Sequence, residues 1–223
     1  MKFVFPDISK IFDMESDKVQ SIIVEKPELF YKLVLDVQNQ IAGFDGIAVL
    51  SDNDNKILPL SSFAELHSQF VPFDINQKSL VTKLSAALEK LAVSDEYYAK
   101  TLEIVSELES HLLNMSLNLE GDIIFEKCSI GSIVKSVKPV FEDNCDGLCE
   151  KLINYMGMVR GHEKDKLFVF VNLRSYISDA ECELFFNTAL GHQFNILMID
   201  CCEHLLLKNE ERLIIDKDLC EIA

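Results

Sequence analysis

The chain has 223 residues, is 48% hydrophobic, and carries 37 acidic against 21 basic residues for a formal net charge of −16. That apolar content supports a packed core and excludes a disordered chain. The acidity excludes a protein that coats nucleic acid over its whole surface, though not one that gathers its cations in one place.

Met1-Lys2 leads into too short an apolar stretch for a secretory signal, and no run of 18 apolar residues exists to span a membrane. Seven cysteines, an odd number without a Cys-x2-Cys pair, fit a reducing compartment, and the expectation is a cytoplasmic protein. Residues 1–18 carry little readable pattern. Val19–Val24 reads as a strand, and Pro27 opens a helix over 27–41 with Leu29, Leu33, Val37 and Ile41 at helical spacing. Residues 46–50 and 56–60 read as two strands of a hairpin, joined by Ser51-Asp52-Asn53-Asp54-Asn55. That turn fails as a calcium loop. Counting from Asp52, the fifth, sixth and twelfth positions are Lys56, Ile57 and Phe63 instead of an oxygen ligand, glycine and glutamate.

Residues 77–116 contain neither glycine nor proline. Leu80, Leu84, Leu88 and Leu91 mark one helix. Ser94-Asp95-Glu96 reads as the start of a second, carrying Tyr98, Leu102, Val105, Leu108 and Leu112. Residues 117–126 read as extended, a helix follows over 129–138, and Pro139–Glu142 reads as a short strand. A helix over 145–159 would place Cys145 and Cys149 on one face. Leu167–Val171 is a continuous apolar strand. Ser178 and Glu181 form a capping box that opens a helix, and 194–199 is a second apolar strand. Strand, helix and strand in so few residues predict parallel pairing with a crossover helix. Arg212–Ile215 reads as an edge strand. The fold expected is α/β: a largely parallel sheet head from residues 1–76 and 117–223, with a protruding helical leg at 77–116.

A nucleotide-type sheet invites a search for phosphate chemistry. Only Glu25-Lys26 separates the first strand from its helix, and neither a Gly-x-Gly-x-x-Gly nor a Gly-x4-Gly-Lys-Ser/Thr run occurs. Two residues cannot wrap a phosphate, and glutamate would repel it. Asp200 ends a strand where a magnesium-binding aspartate could stand, but without a phosphate loop. Histidines 67, 111, 162, 192 and 204 lie in no hydrolase or zinc motif. No catalytic residues are assigned, and the chain is expected not to be an enzyme.

Two groups of residues remain. Glu120, Asp122 and Glu126 fall within seven residues at the head–leg junction and could offer oxygens to a hard cation. Charge is also uneven: the window 127–174 holds 8 basic and 6 acidic residues, a charge of +2, while the rest of the chain carries −18. Lys127, Lys135, Lys138, Lys151, Lys164 and Lys166 in that window are the candidate DNA contacts. Repeated around a closed ring, such a patch would add its field around one opening and could hold phosphates without reading bases.

In the order and spacing of its segments, the sequence resembles the small DNA-end-binding protein family of type II-A CRISPR systems, a spacer-acquisition factor. The matching segments are strand and helix 19–41, the Asp-Asn hairpin, the helices of 80–119, Leu119-Glu120-Gly121-Asp122, Val134-Lys135-Ser136-Val137, Lys166–Asn172, Tyr176–Glu181 and Asn195–Ile199. The resemblance implies a head like a P-loop hydrolase core that has lost its phosphate loop. It implies a homotetrameric ring that threads double-stranded DNA ends without sequence preference through a lysine-lined hole. Calcium at the acidic junction, and action beside the CRISPR integrase complex and effector nuclease, are implied as well. Glu120 and Asp122 match the acidic junction, but Ile123, Ile124 and Phe125 interrupt the acids that follow in the family, and a helical glutamate of the family falls near Ser132. Lys135 matches a cation on the helix after the junction. The alternative expectation is an interaction scaffold with a degenerate hydrolase fold and no DNA binding.

Overall fold

The computed structural model describes residues 1–162 and 166–222. It divides into two compact units, Met1–Ile75 with Asn144–Ala223, and Asn76–Asp143. The first unit begins with β1 (Lys2–Val4), β2 (Phe12–Asp13), β3 (Val19–Val24), α1 (Pro27–Ile41), β4 (Val49–Ser51), β5 (Ile57–Leu58), α2 (Leu60–Phe63) and β6 (Ala64–His67). The second unit supplies α3 (Lys78–Ala92), α4 (Tyr98–Ser116) and α5 (Ile130–Val137). The chain then returns to the first unit through α6 (Leu148–His162), β7 (Leu167–Val171), α7 (Asp179–Gly191), β8 (Asn195–Asp200), β9 (Glu210–Ile215) and β10 (Glu221–Ile222).

The fold of the first unit is mixed α/β around a largely parallel sheet. Its strand order is β10-β9-β3-β8-β7-β6, and every pair is parallel except β9 with β10. All residues of β3 and β7 are buried, because helices or strands cover both faces; the run of β7 is accordingly apolar throughout, while β3 buries Gln20 and Ser21 beside its apolar residues. Ile22, Val24, Val169, Leu197 and Leu213 share one core with Leu29, Leu33 and Val37 of α1. The intervening strand residues pair with α6 and α7. Phe170 packs edge-on to Phe185 of α7 at 5.7 Å, and Tyr155 and Met156 of α6 are buried. The capping box of α7 forms as expected, with Ser178 Oγ accepting from the Glu181 N–H and Glu181 reaching back to the Ser178 N–H.

Several elements depart from the sequence reading. Residues 1–18, which show no clear pattern, build β1 and β2 of an antiparallel sheet ordered β2-β1-β4-β5. Phe3 sits opposite both Phe12 and Leu50, and all three enter the core shared with α1. The hairpin strands are shorter than expected, because α2 takes Leu60–Phe63. Strand β6 has no counterpart among the expected elements. β9 is not an edge: it pairs along its full length with β3, and a turn folds β10 onto its other side. In that turn Asp216 Oδ1 accepts from the N–H groups of Asp218 and Cys220.

The second unit contains the two expected helices. Ser94 does not cap the second of them. Its hydroxyl donates to the Leu91 carbonyl at 2.7 Å, and its own carbonyl accepts from Tyr97 and Tyr98, so it closes a turn behind α3 and α4 starts at Tyr98. The unit also takes in residues 117–143, where Glu109 of α4 accepts from the Cys128 N–H at 2.9 Å and α5 packs on α3. Pro139–Glu142 is not a strand. The amide side chain of Asn76 meets both polar groups of the Phe141 backbone, accepting from its N–H at 2.8 Å and donating to its carbonyl at 3.0 Å. In the first unit α6 starts at Leu148, not 145, with Gly147 O accepting from the Lys151 N–H. Cys145 therefore lies outside the helix and shares no helical face with Cys149.

Candidate functional site

Ligands of open parallel sheets bind beyond the carboxyl ends of the strands. At the end of β3 the chain passes through Glu25 and Lys26 directly into α1. The Glu25 N–H is committed to the Ile215 carbonyl at 2.9 Å, and Lys26 caps the helix without any side-chain hydrogen bond. At the end of β7, Asn172 adopts a left-handed conformation with φ 55°. Its backbone N–H donates to Ile199 O at 2.8 Å, and its Oδ1 accepts from the Cys201 N–H at 2.9 Å, so it ties the ends of β7 and β8 together.

The polar side chains at this edge turn inward. Arg174 donates to Glu210 Oε2 at 3.2 Å, to Asp179 Oδ1 at 2.6 Å and to the Leu205 carbonyl at 2.8 Å. Glu210 Oε2 also accepts from the Leu207 N–H. Asp200 is buried beside this network, and its Oδ1 has no hydrogen-bond partner among the described residues. Burial pushes the Asp200 carboxyl up to about 7, with Arg174 opposing the rise and Glu210 adding to it. Arg174 and Glu210 thus form an internal clamp that sequence reading missed. The available signal was an arginine three residues after an apolar strand.

His67 is buried on β6, stacked on Phe170 at 5.4 Å, with Nε2 making no hydrogen bond among the described residues but lying 3.8 Å from the Glu65 carboxylate, and its basicity pushed down to about 4 by burial. His192 caps α7 and stacks on Phe194 at 5.5 Å.

The junction carboxylates are not gathered. Glu120, Asp122 and Glu126 lie exposed along a segment without regular structure, where Gly121 takes a left-handed φ of 106°. Among the described residues no three His, Cys, Asp or Glu side chains are grouped to hold a metal ion.

The lysines separate by environment. Lys127, Lys135 and Lys138 belong to the second unit and are exposed, and no ion pair engages them among the described residues. Lys135 sits in the last turn of α5 and Lys138 ends it in a left-handed conformation with φ 49°. Lys151 is half-buried on α6 in the first unit. Lys166 must be removed from the candidate contacts. Only 8% of its side chain is exposed, and its ammonium lies 3.4 Å from Glu65 on the neighbouring strand β6, whose carboxylate also accepts from the Tyr155 hydroxyl at 2.7 Å. Lys164 lies outside the described residues. Arg174 is buried too, so the +2 window spends at least two of its eight positive charges inside the protein.

Apolar side chains form the other unsatisfied surface of the second unit. Ile104, Leu108 and Met115 recur along α4 at helical spacing and are all exposed. No helix among the described residues is long and apolar enough to cross a membrane.

A family model described as CRISPR-associated protein (Cas_Csn2) matches residues 40–219. No curated protein matches the chain.

Proposed function

Because the chain belongs to the Cas_Csn2 family of type II-A CRISPR-associated proteins, we propose that it binds double-stranded DNA ends, without sequence preference and without catalysis, as a homotetrameric ring during spacer acquisition. The observation that carries this reading is the set of exposed lysines 127, 135 and 138, which no ion pair engages among the described residues of a strongly acidic chain. Three lysines per subunit repeated around a ring supply phosphate contacts that need no base readout. The exposed apolar face of α4 supports self-association.

The parallel sheet is read as a hydrolase-type core without a phosphate loop, since two residues join β3 to α1. The inward-turned polar groups at its carboxyl edge support a binding role over a catalytic one. Calcium enters as a ligand that would itself have to draw Glu120, Asp122 and Glu126 together. As they stand the three do not fit an ion, so no step of DNA binding is routed through it. Cysteines without disulfides support a reducing, cytoplasmic setting, where the CRISPR integrase complex and effector nuclease are the proposed partners.

The test compares linear duplex with covalently closed circles in a gel-shift series over salt. Threading predicts retention of the linear form alone, and linearising the circle restores binding. Equal binding to both forms overturns threading. No binding to either, by a properly folded protein, selects the scaffold reading that the net charge of −16 favours.

A further inference from the structure

The first unit contains a cavity of about 930 Å³, well within the size range of ligand sites. One wall comes from the residues after β2 and from the β4–β5 turn. The other comes from the end of α6, the end of α7 and the start of β8. Four carboxylates line it: Glu15, Asp17, Asp52 and Asp54.

What matters is which of the charged groups are already used. Glu15 accepts from the Met1 ammonium at 3.1 Å and from Asn53 Nδ2 at 2.7 Å. Asp52 Oδ1 is spent on its own turn, accepting the N–H groups of Asp54 at 3.0 Å and Lys56 at 2.9 Å. Of the two cations of the cavity, the Met1 ammonium is paired with Glu15, and Arg160 is oriented by the His192 carbonyl and the face of Phe194 but keeps its charge. Asp17 and Asp54 are exposed, and no side-chain hydrogen bond or ion pair engages either carboxylate among the described residues. Four carboxylates against two cations leave the cavity lining net negative, with Asp17 and Asp54 its unengaged carboxylates among the described residues.

The apolar lining completes the picture. Met14, Leu58, Phe63, Leu190 and Phe194 line the same space. Thioether and aromatic surface beside free carboxylates suits a cation carried on an aliphatic stem, which packs its methylenes while its charged head stays at the polar rim. A nucleic acid would be repelled here, and an acidic peptide likewise.

We propose that this cavity is a docking site for a lysine- or arginine-bearing segment of a protein partner, held by Asp17 and Asp54. The lysines proposed for DNA belong to the other unit, so this inference does not depend on DNA binding.

The test uses the full chain and a fluorescein-labelled peptide of alternating alanine and arginine, followed by anisotropy at physiological salt. Asp17→Asn with Asp54→Asn is expected to weaken binding at least fivefold. Asp95→Asn with Glu96→Gln removes the same charge from exposed positions in the second unit and is expected to change it less than twofold. Circular dichroism of each variant confirms the fold. Equal losses in the two variants would show general attraction to an acidic chain and overturn the proposal, as would no loss in either. Spermine forms the second arm. If it binds with the same Asp17 and Asp54 dependence, and no peptide up to ten residues binds tighter, the cavity belongs to free polyamines and the protein partner is excluded.

Discussion

The guanidinium of Arg174 lies 3.2 Å from the carboxylate of Glu210, with only 2% and 1% of the two side chains exposed. The pair joins the segment after β7 to the first residue of β9, and the same guanidinium holds Asp179 at the start of α7 and the Leu205 carbonyl. Desolvation makes such a pair expensive to form and more expensive to break. Glu210→Ala leaves a buried guanidinium short of one partner and is expected to cost about 3–5 kcal/mol, read as a lowered thermal midpoint. Arg174→Met with Glu210→Leu removes both charges and is expected to recover at least half of that loss. A double variant as unstable as the single one would contradict a cost that arises from stranded charge.

Asp200 makes stability depend on pH. Its folded carboxyl is raised from 3.8 to about 7 by burial. The folded state therefore holds a proton that the unfolded chain releases above about pH 4. Asp200's contribution to stability is full below that pH, falls as pH rises toward 7, and stays lost above it. Asp200→Asn cannot ionise, so its advantage over the parent protein should grow by about 2–4 kcal/mol between pH 4 and pH 8. Urea melts at the two pH values measure it. An advantage independent of pH would place the ionisation elsewhere.

Lys166 and the three exposed lysines should part company under mutation. Lys127→Ala, Lys135→Ala and Lys138→Ala together are expected to leave the melting temperature almost unchanged. They should abolish retention of linear duplex at moderate salt and make log K against log salt shallower by about 0.9 for each phosphate that is no longer neutralised. Lys166→Ala is expected to destabilise the protein by about 3 kcal/mol, because Glu65 then loses its buried cation, and to leave the salt slope intact. A changed slope in Lys166→Ala would place that ammonium on DNA.

Calcium titration tests the junction carboxylates. Gathering three exposed side chains on an irregular segment costs conformational entropy, so calorimetry should give a dissociation constant no tighter than about 10⁻⁴ M. Glu120→Gln should remove the heat. A micromolar constant would mean that a formed site exists in the assembled protein.

Most of the sheet was legible because burial on both faces writes itself into β7 and β8 as unbroken apolar runs and into β3 as a run interrupted only by Gln20 and Ser21, and because Ser178 and Glu181 announce α7 at a fixed spacing. Strand β1 was not legible. Lys2–Val4 is three residues long, and it is a strand only because Phe3 finds Phe12 on one side and Leu50 on the other. The place of β9 was likewise hidden, since an apolar run does not say which strand will lie beside it. Among the candidate DNA-binding residues, the sequence shows where lysines lie along the chain and not which of them face water.

Composition and period alone thus determined that this chain folds, that its sheet is largely parallel, and that it lacks a phosphate loop between β3 and α1. All of these are local or additive properties of the residues. The tertiary structure decided which charges remain available. Glu65 and Lys166 are separated by about a hundred residues, yet adjacent strands β6 and β7 bring them to 3.4 Å. Asp17 and Asp54 line one cavity because the residues after β2 and the β4–β5 turn border the same space. Strand pairing brings distant residues together, and burial then sets whether a charge is paired inside or presented to a partner.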